Sequence, residues 1–458
     1  VNKHQHIVLI GGGISGLSCA YFLRQAGLQV CLFEQSARLG GVIETVLQDG
    51  YQFEAGPQSF LSSPETDSLI TALGLQSEVL QGRRDAARFI LHNGTLQQAP
   101  LAPPHLLKTP LLSARTKWRI FSEPLRRTRP PEPDESVAAF VRRKFGNDLL
   151  ENMVGPLVSG IHAGDPERLS VRSAFPFLYE WERDHGSILR GAIKSRPKGP
   201  AHKPTLTSFS SGLSTLVDAL SQQLASDART GARVASLNVR MESGAGRFDL
   251  VVERDETHEA HSADAVVVAT DTSAAAGLLR PIRDVNASAL EAIEYAPVAV
   301  VGLGYRREQI AHPLNGFGFL VPRKAGLAIL GTIFCSSLFA RRAPEGGANL
   351  TTFVGGATNP DVLDKTEDEL LALVEEELRP ILGILGEPVT RFLRRWPRAL
   401  PQYNLGHAEK LARIRNALGI VPGLFLTGNY LRGPSLAACI AHAQDTAQEV
   451  VRFLRASP

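Results

Sequence analysis

A chain of 458 residues is long enough for two or three domains, each burying its own core. Its 49 Lys and Arg against 46 Asp and Glu leave a formal charge of +3, too small over this length for nucleic acid to be the main partner, so any basic surface must be local. Four cysteines, Cys19, Cys31, Cys335 and Cys439, form no C-x-x-C pair and point to buried thiols in a reducing compartment rather than to a disulfide framework.

Ile7-Val8-Leu9-Ile10 reads as a buried strand that runs into Gly11-Gly12-Gly13-Ile14-Ser15-Gly16, a G-x-G-x-x-G turn, with Leu17 to Gln25 as the helix that follows. In such a turn Gly11 permits the bend, Gly13 lets the backbone approach a pyrophosphate, and Gly16 lets the helix pack on the strand, while the helix N-terminus offers free N–H groups to the anion. A second strand, Gln29 to Phe33, ends at Glu34, a carboxylate suited to a ribose hydroxyl and unsuited to a 2′-phosphate. A dinucleotide is the expected ligand. No basic-then-apolar leader stands before Ile7, and no apolar run approaches the roughly 18 residues a spanning helix needs. A cytoplasmic protein is expected, with peripheral contact to the cytoplasmic membrane face left open.

After Arg38-Leu39-Gly40-Gly41, Val42 to Thr45 and Tyr51 to Glu54 read as a hairpin about Asp49-Gly50. The loop Glu54-Ala55-Gly56-Pro57-Gln58-Ser59-Phe60 follows, and Ser63-Pro64 opens a short helix that stops at Gly74. From Ala99 to Pro133 prolines leave only short pieces. Lys108, Arg115, Lys117, Arg119, Arg126, Arg127 and Arg129 stand there against little except Glu123, with Trp118, Ile120, Phe121 and Leu125 interleaved. That basic-apolar patch is either a solvated helical face or a peripheral membrane surface. Ser136 to Lys144 and Asp148 to Val158 read as helices, Gly160 to Pro166 as a turn-rich loop with a structural His162, and Pro197 to Pro204 as a linker.

Ser210-Ser211-Gly212-Leu213 opens a helix to Leu224, and strands follow around Ala232–Val239 and Phe248–Glu253. Ala263 to Thr270 is a buried strand expected to return to the first sheet. Pro297–Tyr305, Phe317–Val321, Ala328–Phe334 and Leu350–Val354 read as a second, largely antiparallel sheet, followed by a helix from Thr366 to Leu382 with Glu369 completing a capping box. Leu424 to Thr427 is a strand that stops at Gly428-Asn429, and Gly433-Pro434-Ser435-Leu436 opens the last helix, with Pro434 in its first turn.

The glycine turn, Glu34, Arg38 to Gly41, Glu54 to Phe60 and the closing Gly428-Asn429…Gly433 together resemble the FAD-dependent amine oxidase superfamily. Within it the chain is similar to the oxygen-dependent protoporphyrinogen oxidase family. That likeness rests on Gly160–Pro166, Gly316–Pro322, Thr352–Gly356 and Trp396-Pro397…Pro401-Gln402-Tyr403-Asn404-Leu405-Gly406-His407, in order along nearly the whole chain. It implies that FAD touches Gly11, Gly12, Gly13, Ile14, Ser15, Gly16, Glu34, Val42, Gly56, Pro57, Gln58, Ser59, Val234, Trp396, Asn429, Pro434, Ser435 and Leu436. The family's propionate-binding arginine falls on Arg88, and its tetrapyrrole-clamping apolar residues on Leu320, Ile333 and Phe353. Gly433-Pro434-Ser435-Leu436-Ala437-Ala438-Cys439 departs from the family's usual ending, which leaves backbone contacts to the flavin intact and side-chain roles there in doubt.

The expected architecture is an α/β fold. A Rossmann-like FAD-binding domain (1–80, 206–290 and 401–458) is interleaved with an antiparallel-sheet substrate domain (291–400) and a helical, substrate- or membrane-facing domain (81–205). The resemblance implies a porphyrinogen substrate, hydride transfer from a meso carbon to flavin N5, and O2 as acceptor. No Ser/His/Asp arrangement and no metal-ligand spacing occurs, so no side chain is assigned a catalytic role. Protoporphyrinogen IX is the expected substrate, with coproporphyrinogen III, another amine oxidase or desaturase reaction, or a binding protein like the GDP-dissociation inhibitors as alternatives. Oligomeric state, a homodimer included, is left open.

Overall fold

Alternation along the first strand decides how the cofactor half is built. In the computed structural model, which describes residues 5–100, 103–196, 202–242, 245–282 and 287–456, Ile7 and Leu9 of the strand His6–Ile10 enter one core while Val8 and Ile10 enter another. A strand buried on both faces needs layers on both sides. The strand sits at the centre of a five-stranded parallel sheet, flanked by Gln29–Phe33 and Ala265–Val268, with Ala228–Arg229 and Leu424–Leu426 at the edges. The 263–270 stretch thus returns beside the first strand, as expected. One face is covered by the helices Ile14–Gln25, Ser214–Gln223 and Leu436–Ala456, the other by an antiparallel three-stranded layer and the helices Thr272–Leu279 and His407–Leu418.

The second sheet has seven strands in the order Thr390–Pro401, Tyr295–Arg306, Gly347–Gly355, Ile329–Phe334, Gly316–Leu320, Ala87–His92 and Thr95–Gln98. All neighbours are antiparallel except Ala87–His92 with Gly316–Leu320. The helix Glu367–Leu382 covers one face with Leu370, Val374 and Leu378, and Thr366 and Glu369 form the expected reciprocal cap. Thr390–Pro401 is a strand that the sequence conceals behind Pro397 and Pro401. Pro397 is tolerated because the strand lies at the sheet edge and its register shifts opposite Ala296 and Val298.

A helical region packs against the second sheet. The expected helix runs Val137–Lys144, with Ser136 as its cap. Residues 147–162 are helical throughout, with a π-helical turn at Leu150–Val154, so Gly160 and His162 close the helix Gly155–His162 instead of opening a loop. Gly160 is accepted there because a Cβ would fall 2.6 Å from Leu320 Cδ2 on the adjoining sheet. Ala163, with φ 47°, ends the helix. Most of the 197–204 linker lies outside the described residues.

Glu123 does not oppose the surface cations. It is buried, pairs with Lys144 at 3.1 Å, and accepts from the Ser187 hydroxyl at 2.6 Å and the Ile188 N–H at 2.9 Å. Glu182 and Glu135 meet Arg143 in the same cluster, and Lys144 lies 3.1 Å from Glu182 as well. Arg126 also turns inward, donating to the carbonyls of Arg119 at 2.6 Å and Lys144 at 3.2 Å. Lys108, Arg115, Arg127 and Arg129 stay exposed beside Leu107, Trp118, Phe121 and Leu125, of which Trp118 is 67% and Leu125 80% accessible. Among the described residues no helix is long and apolar enough to cross a membrane.

Burial opposes ionisation of Glu123 and Glu182, but the hydrogen bonds and cations around them outweigh it and hold both below the ordinary carboxylate range. Their contribution is therefore present above the unfolded-state value of about 4.3 and is lost as pH falls through their lower folded values. Lys144→Met should cost about 3–5 kcal/mol in urea unfolding at neutral pH, because it leaves buried carboxylates short of a partner. Adding Glu123→Gln to it should recover part of that loss.

Candidate cofactor and substrate site

The glycine turn is built as the spacing requires. Gly11 has φ +110°, and a Cβ on it would stand 2.9 Å from the Ala269 carbonyl oxygen, while a Cβ on Gly16 would overlap the Gly11 carbonyl oxygen. A Cβ on Gly13 would meet nothing within 4 Å. The helix starts at Ile14, three residues earlier than the apolar pattern suggests, with Gly13 as an N-cap that lends no side-chain hydrogen bond. Open space thus lies against free N–H groups and the positive end of the helix dipole, which fits a pyrophosphate.

Glu34 ends the second strand beside this turn. Its Oε2 accepts the Gly12 N–H at 2.6 Å and its Oε1 the Ser36 N–H at 2.8 Å, leaving lone pairs on both oxygens for ribose hydroxyls. The Glu34 carbonyl accepts from Ala232 N–H at 2.9 Å, which brings buried Val234 to the same end. Gly40 donates its N–H to the Gly12 carbonyl at 2.8 Å, and Arg38 is turned onto the carbonyls of Leu39, Gly41 and Ile43. These glycines and Arg38 shape the loop instead of presenting side chains to a ligand.

The 54–59 loop crosses next. A Cβ on Gly56 would overlap the Val42 carbonyl oxygen, and Trp396 Nε1 donates to the Ala55 carbonyl at 2.6 Å. Gln58 spends its amide on the carbonyls of Glu54 at 2.8 Å and Gly56 at 3.1 Å, so what the loop offers a cofactor around Pro57 and Ser59 is chiefly backbone. At the C-terminal end the Asn429 carbonyl accepts from the Tyr403 hydroxyl. The last helix starts at Leu436, with Ser435 Oγ accepting the Ala438 N–H at 3.2 Å. Pro434 therefore precedes the capping residue and is not in the first turn. Helices Ile14–Gln25 and Leu436–Ala456 pack on one another and both begin at the carboxyl edge of the parallel sheet, with the Cys439 thiol against Ser15. Two helix N-termini so converge on one site.

The residues expected at the substrate share one face of the second sheet. Arg88, Gly318 and Ile333 are directly opposed in one rung, and Ile90, Leu320, Gly331 and Phe353 in the next on the same side. Phe319 and Val354, one residue along, enter the core beneath the helix Glu367–Leu382. Leu320, Ile333 and Phe353 are only half-buried. Gly318 and Gly331, which the sequence reading passed over, leave the floor between the larger side chains flat. Their signal is the alternation of glycine with apolar residues in Gly316-Phe317-Gly318-Phe319-Leu320 and Leu330-Gly331-Thr332-Ile333. Arg88 is exposed, its guanidinium 5.3 Å from the Phe317 ring centroid, and no ion pair to it occurs among the described residues. His162 is buried between Phe175 and Tyr403, and burial pushes its pKa down to about 4; it is a neutral packing residue.

Residues 14–451 match the family described as flavin containing amine oxidoreductase. Protoporphyrinogen oxidase 1, chloroplastic, of Spinacia oleracea is 38% identical over 98% of this chain and 84% of its own. Coproporphyrinogen III oxidase of Bacillus subtilis (strain 168) is 31% identical over 98% of both chains. A crystal structure named "Putative protoporphyrinogen oxidase", from Exiguobacterium sp. 255-15, superposes with a TM-score of 0.83 at 28% identity and covers 99% of each chain.

Glu34→Ala should speed FAD dissociation roughly 10- to 150-fold, since a charge-assisted acceptor worth about 1.5–3 kcal/mol is removed. Release of flavin from the purified holoenzyme measures it, and an unchanged rate would restrict Glu34 to holding the turn.

Proposed function

The chain belongs to the flavin-containing amine oxidoreductases, and from that premise we propose that it oxidises protoporphyrinogen IX to protoporphyrin IX with O2 as acceptor. The carrying observation is the half-buried apolar face of Leu320, Ile333 and Phe353 with Arg88 at its margin. A porphyrinogen is the substrate class named by both relatives. The cofactor is FAD, which when bound accepts hydride from a meso carbon and passes electrons to O2. Three such oxidations convert protoporphyrinogen IX and three O2 into protoporphyrin IX and three H2O2.

The protein's contribution is position and charge complementarity. Arg88 holds a propionate through a bidentate guanidinium and so fixes the macrocycle's edge. The glycine-floored face receives the apolar remainder. His162 is held neutral between Phe175 and Tyr403 and serves no proton, and pyrrole N–H protons leave to water.

Coproporphyrinogen III carries two further propionates, which would meet apolar side chains, and a bare carboxylate buried there is costly. kcat/KM should therefore be higher for protoporphyrinogen in side-by-side assays. Arg88→Ala should lower it roughly 10- to 150-fold, from about 1.5–3 kcal/mol of charged hydrogen bonding. A preference for coproporphyrinogen would assign the specificity to other polar groups and refute the substrate proposed here.

The same reading extends to a peripheral contact with the cytoplasmic membrane face. Leu107, Trp118, Phe121 and Leu125 are exposed beside Lys108, Arg115, Arg127 and Arg129, a pairing that suits an anionic lipid surface. Charge reversal at Arg127 and Arg129 should weaken vesicle binding at low salt by about 1 kcal/mol per residue. Arg126 is unsuitable for that test because its guanidinium holds the local backbone. Equal pelleting of variant and wild type would remove the lipid contact.

A further inference from the structure

A buried polar junction behind the 54–59 loop plays no part in the chemistry above. Glu54 and Arg342 are each 2% accessible, with Arg342 Nη2 standing 3.6 Å from Glu54 Oε1. The same nitrogen donates to Ser208 Oγ at 2.5 Å and to the Phe209 carbonyl at 3.3 Å, and the guanidinium carbon lies 5.5 Å from the Phe339 ring centroid. Glu54 accepts from the Thr45 hydroxyl at 2.8 Å and from the Leu213 N–H at 3.0 Å. Gly212 has no side chain where a Cβ would come within 2.8 Å of Glu54 Oε1.

The junction is continuous with the loop. Cys335 Sγ faces Gln58 Oε1 at 3.5 Å while the Gln58 amide donates back to the Glu54 and Gly56 carbonyls. Asn349 Nδ2 donates to the carbonyls of Gln52 and Arg342, both at 2.8 Å. One cluster thus joins the loop, the 208–213 segment that enters a helix of the parallel-sheet half, and the sheet that carries Arg88, Leu320, Ile333 and Phe353. Both ions are held against their solvation. Burial pushes the Glu54 carboxyl up to about 7 although Arg342, Thr45 and the Leu213 N–H pull it down, and burial lowers Arg342. A buried pair is a poor source of stability compared with packed apolar groups, so its presence asks for a positional reason.

We propose that the Glu54–Arg342 pair is a positioning device for the cofactor: it fixes the 54–58 loop to the substrate-bearing sheet and so sets where the flavin ring lies relative to that sheet. The inference rests on the reading that the loop faces the flavin. Neither residue is catalytic. The pair acts through the backbone of Ala55, Gly56 and Pro57.

The test uses the double variant Glu54→Gln/Arg342→Met, which removes both charges together and so avoids the lone buried ion that would unfold a single variant, with Arg342→Lys as the conservative comparison. FAD dissociation, the visible spectrum of the bound flavin, and urea unfolding of the apoprotein are measured for each. The expected result is apoprotein stability near wild type, FAD loss at least tenfold faster, a shifted flavin spectrum, and partial rescue of retention and spectrum in Arg342→Lys. A double variant with wild-type FAD retention and spectrum would overturn the proposal, as would a loss of apoprotein stability that accounts for all the faster FAD release. Glu34→Ala is the control: faster FAD release in it beside an unchanged double variant faults the pair alone, whereas no effect in either variant faults the cofactor reading itself.

Discussion

The close crossing of the strand His6–Ile10 and the helix Ile14–Gln25 is the constraint on which the site depends. A Cβ on Gly16 would overlap the Gly11 carbonyl, and Gly11 itself has φ +110° with the Ala269 carbonyl 2.9 Å from where its Cβ would be, so the close approach needs glycine at both positions, and it leaves the helix N-terminus bare beside open space at Gly13. The parallel sheet then repeats the geometry at a distance. Leu424–Leu426 runs parallel to Ala265–Val268 and delivers the helix Leu436–Ala456 to the same edge. Two dipole ends facing one region favour an anion at the pyrophosphate and negative charge on the bound ring. Chain segments more than 400 residues apart meet there because strand direction leaves them no other edge.

Legibility in the sequence followed the physics of each signal. The glycine turn, Glu34 and the capping box at Thr366 are local patterns, and the structure has them where the residues put them. Boundaries failed where tertiary contacts override propensity. Gly160 reads as a loop residue until Leu320 occupies the space a side chain would need, and Pro397 reads as a strand breaker until the strand lies at a sheet edge with a register shift. The helix His407–Leu418 was passed over although Leu411, Ile414 and Leu418 recur at helical spacing and meet the core. Arg88, Leu320, Ile333 and Phe353 came from resemblance, since no periodicity assembles four residues from four separate strands. Only the rungs of the sheet put them on one face.

The placement of the charges was hidden for a different reason. A near balance of acids and bases over the whole chain says nothing of where each sign is spent, and here the helical region spends its acids inside. Glu123, Glu135 and Glu182 are buried against Lys144 and Arg143, so they neutralise interior cations and not the exposed Lys108, Arg115, Arg127 and Arg129. A surface with its acids withdrawn carries a positive potential that a net charge of +3 does not foretell. The same cluster holds the backbone from Glu123 to Arg126 against the helix Val137–Lys144, and so fixes the stripe of Trp118, Phe121 and Leu125 pointing outwards. The interior ion pairs therefore orient the exposed face, and loss of Lys144 would loosen that face as well as lower stability.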